Sequence, residues 1–121
     1  MTGILVLAHG SRRKDTEETL EVLVQKVKEL TDVDNINFAF LQFSDKLLKV
    51  GLDQLVAKGC TKIHIIPYFL FEGVHIREDI PAELREYQAE NPEVQLRLGK
   101  TLGTDERLGA ILADQIQVVM Q

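Results

Sequence analysis

Two of the three histidines in this chain stand beside glycines. One lies in Ala8-His9-Gly10-Ser11-Arg12-Arg13-Lys14, the other in Phe71-Glu72-Gly73-Val74-His75-Ile76-Arg77-Glu78-Asp79. Imidazole ligates cobalt, iron, nickel and zinc, and it titrates near neutrality and can move protons. A neighbouring glycine lets the backbone turn sharply or a flat ligand come close. Two histidines leave a metal's coordination shell incomplete, which suits an ion held briefly and passed on. Taken singly, a histidine at a strand end also serves as a plain turn or capping residue, so the chemistry depends on whether the fold brings the two together. The third, His64, lies inside an apolar run and reads as a packed or edge strand residue. Cys60, the single cysteine, has no disulfide partner and reads as a spectator.

Cations lie around the same segments: Arg12, Arg13, Lys14, Lys46, Lys49 and Arg77. Guanidinium groups pair well with carboxylates and phosphates, so these residues read either as a local anion site or as a solvated surface. No G-x-G-x-x-G, G-x-x-x-x-G-K-[ST] or G-x-S-x-G pattern occurs, which removes the common phosphate-cradling and hydrolase signatures.

The elements that must position these residues are legible in the apolar periodicity. Ile4–Ala8 is a continuous apolar run, as in a strand buried on both faces. Leu20, Leu23, Val24, Val27 and Leu30 have helical spacing, predicting a helix over Asp15–Leu30. A second strand is expected over Asp34–Phe43 and a second helix over Asp45–Ala57, with Ser44 as its N-cap and Gly59 past its end. Lys62–Phe71 reads as the third strand, with Pro67 an irregularity inside it. Ile80, Leu84 and Tyr87 mark a third helix that holds Pro81 near its first turn and stops before Asn91-Pro92. Val94, Leu96 and Leu98 alternate as a half-exposed fourth strand, and Leu108–Val119 reads as a last helix capped by Thr104.

Alternating strands and helices predict an α/β fold in which a parallel sheet has helices on both faces. The first and third strands are the most apolar and belong in the middle, giving a four-stranded sheet of order 2-1-3-4. Its topological switch falls between strands one and three, at their carboxyl ends, where open parallel sheets bind ligands. That is where the His9 and His75 segments begin.

At 121 residues the chain is expected to be one domain, residues 1–121. Its 45% apolar and 27% charged composition excludes a disordered or fibrous chain. A net charge of −5 speaks against a general nucleic-acid binder. No apolar run approaches a membrane span, and no basic-then-apolar leader opens the chain, so a cytoplasmic location is expected.

The segments Leu7-Ala8-His9-Gly10-Ser11-Arg12 and Pro67–Pro81 resemble the two signature segments of the CbiX-type chelatases. These class II enzymes insert cobalt, iron or nickel into sirohydrochlorin-type tetrapyrroles. The likeness runs on through Leu102-Gly103 and Arg107-Leu108 and covers nearly the whole chain. The length is similar to the family's short form, a chelatase-like half-domain that pairs as a homodimer. The resemblance implies that His9 and His75 are the metal-binding, catalytic histidines, holding the ion and accepting pyrrole protons. It implies a divalent metal as substrate, Co2+ first and Fe2+ or Ni2+ as alternatives, with no permanently bound cofactor. Gly10, Ser11, Arg12, Gln42, Ser44, Lys46, Phe71, Gly73, Val74 and Arg77 are then the candidates for holding the macrocycle. Arg12, Arg13, Lys46 and Arg77 would meet its peripheral carboxylates; Phe69, Phe71, Val74 and Ile76 would form an apolar wall.

One departure stands out. The family carries a Glu-Phe-Ser-Glu-Pro pattern at the end of strand two, and here the chain reads Gln42-Phe43-Ser44-Asp45-Lys46. An amide carries no charge and takes no proton. Gln42 therefore motivates a rival of another class, a metal- or tetrapyrrole-binding paralogue that does not catalyse. A second rival, phosphoryl transfer on a strand-end His-Gly, lacks the arginine expected before the histidine, since Ala8 occupies that position.

Overall fold

A computed structural model describes the backbone of residues 1–121 and every side chain except that of His75. The elements are β1 (Thr2–Ala8), α1 (Asp15–Leu30), β2 (Ile36–Phe40), α2 (Leu48–Ala57), β3 (Lys62–Pro67), α3 (Val74–Glu90), β4 (Gln95–Leu98) and α4 (Arg107–Val119). All strand pairs are parallel, in the order β2-β1-β3-β4 expected from the apolar pattern.

β1 is buried on both faces. Leu5 and Leu7 enter a core shared with Leu52 and Leu55 of α2, Ile63 and Ile65 of β3, and Ile80 and Leu84 of α3. On the other face Ala8 packs with Leu20 and Val24 of α1 and with Ile36 and Phe40 of β2. Two apolar layers hold the sheet between helices, and β1 and β3 end side by side.

Several boundaries differ from the expectations. β2 stops at Phe40; the chain then loops out and returns, with the Phe40 N–H donating to the Lys46 carbonyl at 2.9 Å. That loop delays α2 until Leu48, so Ser44 is not its cap; the Ser44 hydroxyl instead accepts from the Lys46 N–H at 3.0 Å. β3 ends at Pro67, and the next N–H, that of Tyr68, donates to the Leu7 carbonyl at 2.7 Å. Proline at the strand's last residue thus leaves the ladder continuous. α3 begins at Val74, ahead of the expected start, so Pro81 lies inside the helix rather than in its first turn. The stripe Ile76, Ile80, Leu84 and Tyr87 packs on the core and carries the helix through the proline.

α4 starts at Arg107, so Glu106 rather than Thr104 holds the cap position; the Asp105 carboxylate accepts from the Arg107 backbone N–H at 2.9 Å and pairs with its guanidinium at 2.6 Å. This helix buries no side chain. Ile111, Leu112, Ile116 and Val119 are all more than half exposed. No helix among the described residues is long and apolar enough to cross a membrane.

Candidate functional site

The carboxyl ends of β1 and β3 open on a cleft of about 430 Å³ lined by His9, Leu41, Gln42, Gly73, Val74, Ile76, Asp79, Ile80 and Glu83. His9 is the first residue past β1 and is exposed to the cleft. Its ring rests on Phe69, with ring centroids 4.3 Å apart and planes inclined at 49°. Phe69 is 4% exposed and belongs to the core, so a packed side chain supports the imidazole from behind. Gly10 allows the turn that follows. Its φ is +89°, and a Cβ there would collide with the Gln42 carbonyl oxygen.

The opposite wall is the start of α3. His75 is the second residue of that helix, and its side chain lies outside the described residues. Its chain neighbours Gly73, Val74 and Ile76 line the cleft that His9 lines. The backbone therefore brings positions 9 and 75 to the same switch point. Among the described residues, no three histidine, cysteine, aspartate or glutamate side chains are grouped closely enough to hold a metal ion.

A larger cleft, about 700 Å³, lies on the α1 side of the His9 loop and is bounded by Gly10, Ser11, Arg12, Arg13, Lys14, Glu17, Glu21, Phe43, Ser44 and Asp45 among others. The expected substrate-binding residues thus divide. Gln42, Gly73 and Val74 join His9, whereas Gly10, Ser11, Arg12 and Ser44 face the second cleft. Arg12 lies over the Phe43 ring, 4.9 Å from its centroid, and Phe43 holds a left-handed backbone at φ +58°.

Four of the remaining cations have nearby partners. Arg13 pairs with Asp15 at 3.0 Å, Lys49 with Asp53 at 3.3 Å and Arg77 with Glu72 at 3.6 Å. Lys46 donates to the Asn37 Oδ1 at 2.6 Å and lies 3.7 Å from the centroid of the Phe38 ring. Burial lowers its pKa from the ordinary lysine value, opposed by the Glu17 and Glu21 carboxylates. It lines neither cleft. Phe71, at 80% exposed, stands out into solvent. His64 is half-buried in β3, in register with Ile4 and Arg97, and Cys60 is buried.

Sequence reasoning missed Leu41 and two carboxylates of the cleft, Asp79 and Glu83. The carboxylates follow His75 at helical spacing, a signal that is readable only once α3 is known to start at Val74. Burial, with the Asp79 and Glu86 carboxylates adding to it, raises the Glu83 carboxyl above the ordinary glutamate range.

Parallel strands, a ligand cleft at their switch point and a strand-end histidine on an aromatic support place this chain among α/β proteins that bind at the carboxyl edge of the sheet. The chain belongs to the CbiX family, whose profile matches residues 3–119. It is 30% identical over 123 residues to a sirohydrochlorin cobaltochelatase of Saccharolobus islandicus, spanning 96% of this chain and 94% of that protein. It is 29% identical over 116 residues to a sirohydrochlorin ferrochelatase of Priestia megaterium, spanning 96% of this chain but 44% of that longer protein. The chain thus spans less than half of the ferrochelatase and nearly all of the cobaltochelatase. Among solved structures, the CbiX protein of Marinobacter aquaeolei VT8 superposes with a TM-score of 0.85 at 28% identity, covering 99% of this chain and 98% of that one.

Proposed function

We propose that this chain inserts a divalent metal ion into a sirohydrochlorin-type tetrapyrrole, with Co2+ as the leading substrate and Fe2+ and Ni2+ as alternatives. The observation that carries this reading is the placement of His9. It stands at the switch point, exposed, backed by buried Phe69 and facing the helix start that bears His75. Neutral imidazole offers the metal one nitrogen lone pair and releases it readily. His9 and His75 hold the ion above the ring while pyrrole nitrogens displace its other ligands. Leu41, Val74 and Ile76 supply the apolar side of the cleft against a flat macrocycle. Arg12, braced on Phe43, offers a fork for a peripheral carboxylate. Holding both reactants in this geometry is worth several kcal/mol of barrier, on the order of 7–11 kcal/mol at the limit.

The working unit in this reading is a homodimer of one-domain chains in the cytoplasm. Support comes from α4, whose apolar stripe is unpartnered, and from the sheet face that α1 leaves partly open, where His64 and Ile66 of β3 are only half-buried. A second copy of the chain can cover both and close a ring-sized cleft.

The test is spectroscopic metallation of sirohydrochlorin with Co2+, Fe2+ and Ni2+ in parallel. His9→Ala and His75→Ala are expected to drop the rate toward the spontaneous one, and wild-type activity should fall as pH drops through about 6–7, where histidine protonates. Wild-type rates in both variants would overturn the assignment. Gln42, a neutral group in the cleft, favours one second reading, a tetrapyrrole-binding chain that does not metallate. Stoichiometric binding without metallation above the spontaneous rate would establish it.

A further inference from the structure

Metal insertion releases two pyrrole protons, and a histidine cannot take the first of them while it still holds the metal. A neutral imidazole has one nitrogen lone pair; while that pair is on the metal, the other nitrogen carries a hydrogen. A separate acceptor is needed. Gln42, at the position where the family's acid stands, is an amide with no proton-accepting capacity at neutral pH. Among the described residues, the cleft has two carboxylates, Asp79 and Glu83, both from α3.

We propose that Glu83 is the proton acceptor of this chain, supplying from α3 the carboxylate that position 42 lacks. The inference rests on the chelatase reading above. Glu83 borders two cavities at once, the His9 cleft and a neighbouring space of about 240 Å³ lined by Leu48, Lys49, Leu52, Glu86, Tyr87 and Glu90. A group at that junction can take a proton on one side and release it on the other. It forms no ion pair among the described residues; Lys49, the cation facing it from α2, is paired with Asp53 at 3.3 Å. Asp79, Glu86 and Glu90 on its own helix are like charges, Tyr87 donates to Asp53 at 2.7 Å, and His9 faces it from the β1 end. Partial desolvation of this otherwise exposed side chain, with the Asp79 and Glu86 carboxylates, makes it a stronger base than an ordinary glutamate, in the direction that neutral-pH proton transfer favours.

The step balances without a co-reactant. One N–H bond of the ring breaks, its electron pair stays on nitrogen and forms the bond to the metal, and the proton goes to a Glu83 carboxylate oxygen. The second pyrrole proton leaves to bulk water through the open cleft. Glu83 then loses its proton to solvent and the carboxylate is restored.

The experiment measures kcat and KM for Co2+ against pH, using sirohydrochlorin, for wild type, Glu83→Gln, Glu83→Asp and His9→Ala. Glu83→Gln is expected to lower kcat about 100-fold, with KM for Co2+ within about two-fold of wild type and the Glu83 inflection gone from the pH profile. Glu83→Asp should recover part of the rate. An unchanged kcat and pH profile in a folded Glu83→Gln protein, with wild type active and His9→Ala inactive, overturns the acceptor role and leaves the chelatase reading standing. A raised KM for Co2+ at unchanged kcat makes Glu83 a seat for the cation and overturns it as well. Inactive wild type overturns both readings together.

Discussion

The imidazole of His9 leans on the phenyl ring of Phe69, centroids 4.3 Å apart, and the two residues come from the ends of neighbouring strands. Because Phe69 is 4% exposed, its ring is fixed by the core and in turn limits where the imidazole can go. Phe69→Leu keeps an apolar side chain but removes the flat support. We expect a stability loss below about 1.5 kcal/mol and a metallation rate lowered about 10–100-fold through misplacement of His9. Thermal unfolding and steady-state rates on the same preparation check this; a wild-type rate would separate His9 from its backing.

Gly10 is held at φ +89° against the Gln42 backbone. Gly10→Ala should cost at least about 1–2 kcal/mol from the left-handed backbone alone, more once the loop moves to relieve the contact. The variant is expected to unfold earlier in denaturant and to lose metal turnover with it. Unaltered stability would mean that the two loops do not depend on each other.

Arg12 and Lys46 make a contrasting pair. Arg12 lies on Phe43 with its guanidinium exposed, whereas the Lys46 amine is committed to Asn37 and Phe38. Arg12→Ala should weaken tetrapyrrole binding several-fold, and Lys46→Met should leave it near wild type. Titration of intrinsic absorbance would reveal equal losses in the two variants if both residues met the substrate's carboxylates.

The apolar stripe of α4 is expected to be an interface between copies. Leu112→Glu with Ile116→Glu places two charges on it, at positions 64% and 56% exposed in one chain. The fold should persist, and sedimentation should shift from dimer to monomer. A wild-type protein that is already monomeric at micromolar concentration contradicts the interface.

Glu83 also makes a pH prediction for stability. Its folded pKa is raised, chiefly by burial, so its contribution is present at low pH and is lost as pH rises through the raised value. Above that value the ionised carboxylate is a burden on the fold. Glu83→Gln should therefore raise Tm slightly at neutral pH and have no effect in acid, while the catalytic rate moves the other way. A lower Tm at neutral pH would show that Glu83 stabilises the chain through contacts of its own.

The sheet was legible because burial on both faces leaves continuous apolar runs, and β1 and β3 are those runs. Their placement at the centre then located the switch point and His9. What the sequence hid were the ends of elements. The return of the chain onto Phe40 made Lys46 part of the sheet margin, which no local pattern encodes. Pro81 argued for a late helix start, and tertiary packing of Ile76 and Ile80 outweighed it. That single boundary concealed Asp79 and Glu83 as cleft residues and left His75 looking like a loop residue. The split of the expected binding residues into two clefts depends on the Gly10–Gln42 contact, a backbone meeting invisible to residue type.

The segment before α4 is tied to the same small region. The Leu102 N–H donates to the Phe69 carbonyl at 2.9 Å, and a side chain at Gly103 would strike the Leu70 carbonyl. The root of the last helix and the seat of the imidazole ring therefore share one peptide joint. A displacement of that root would be felt at the backbone beneath the ring, although the two lie more than thirty residues apart in the chain.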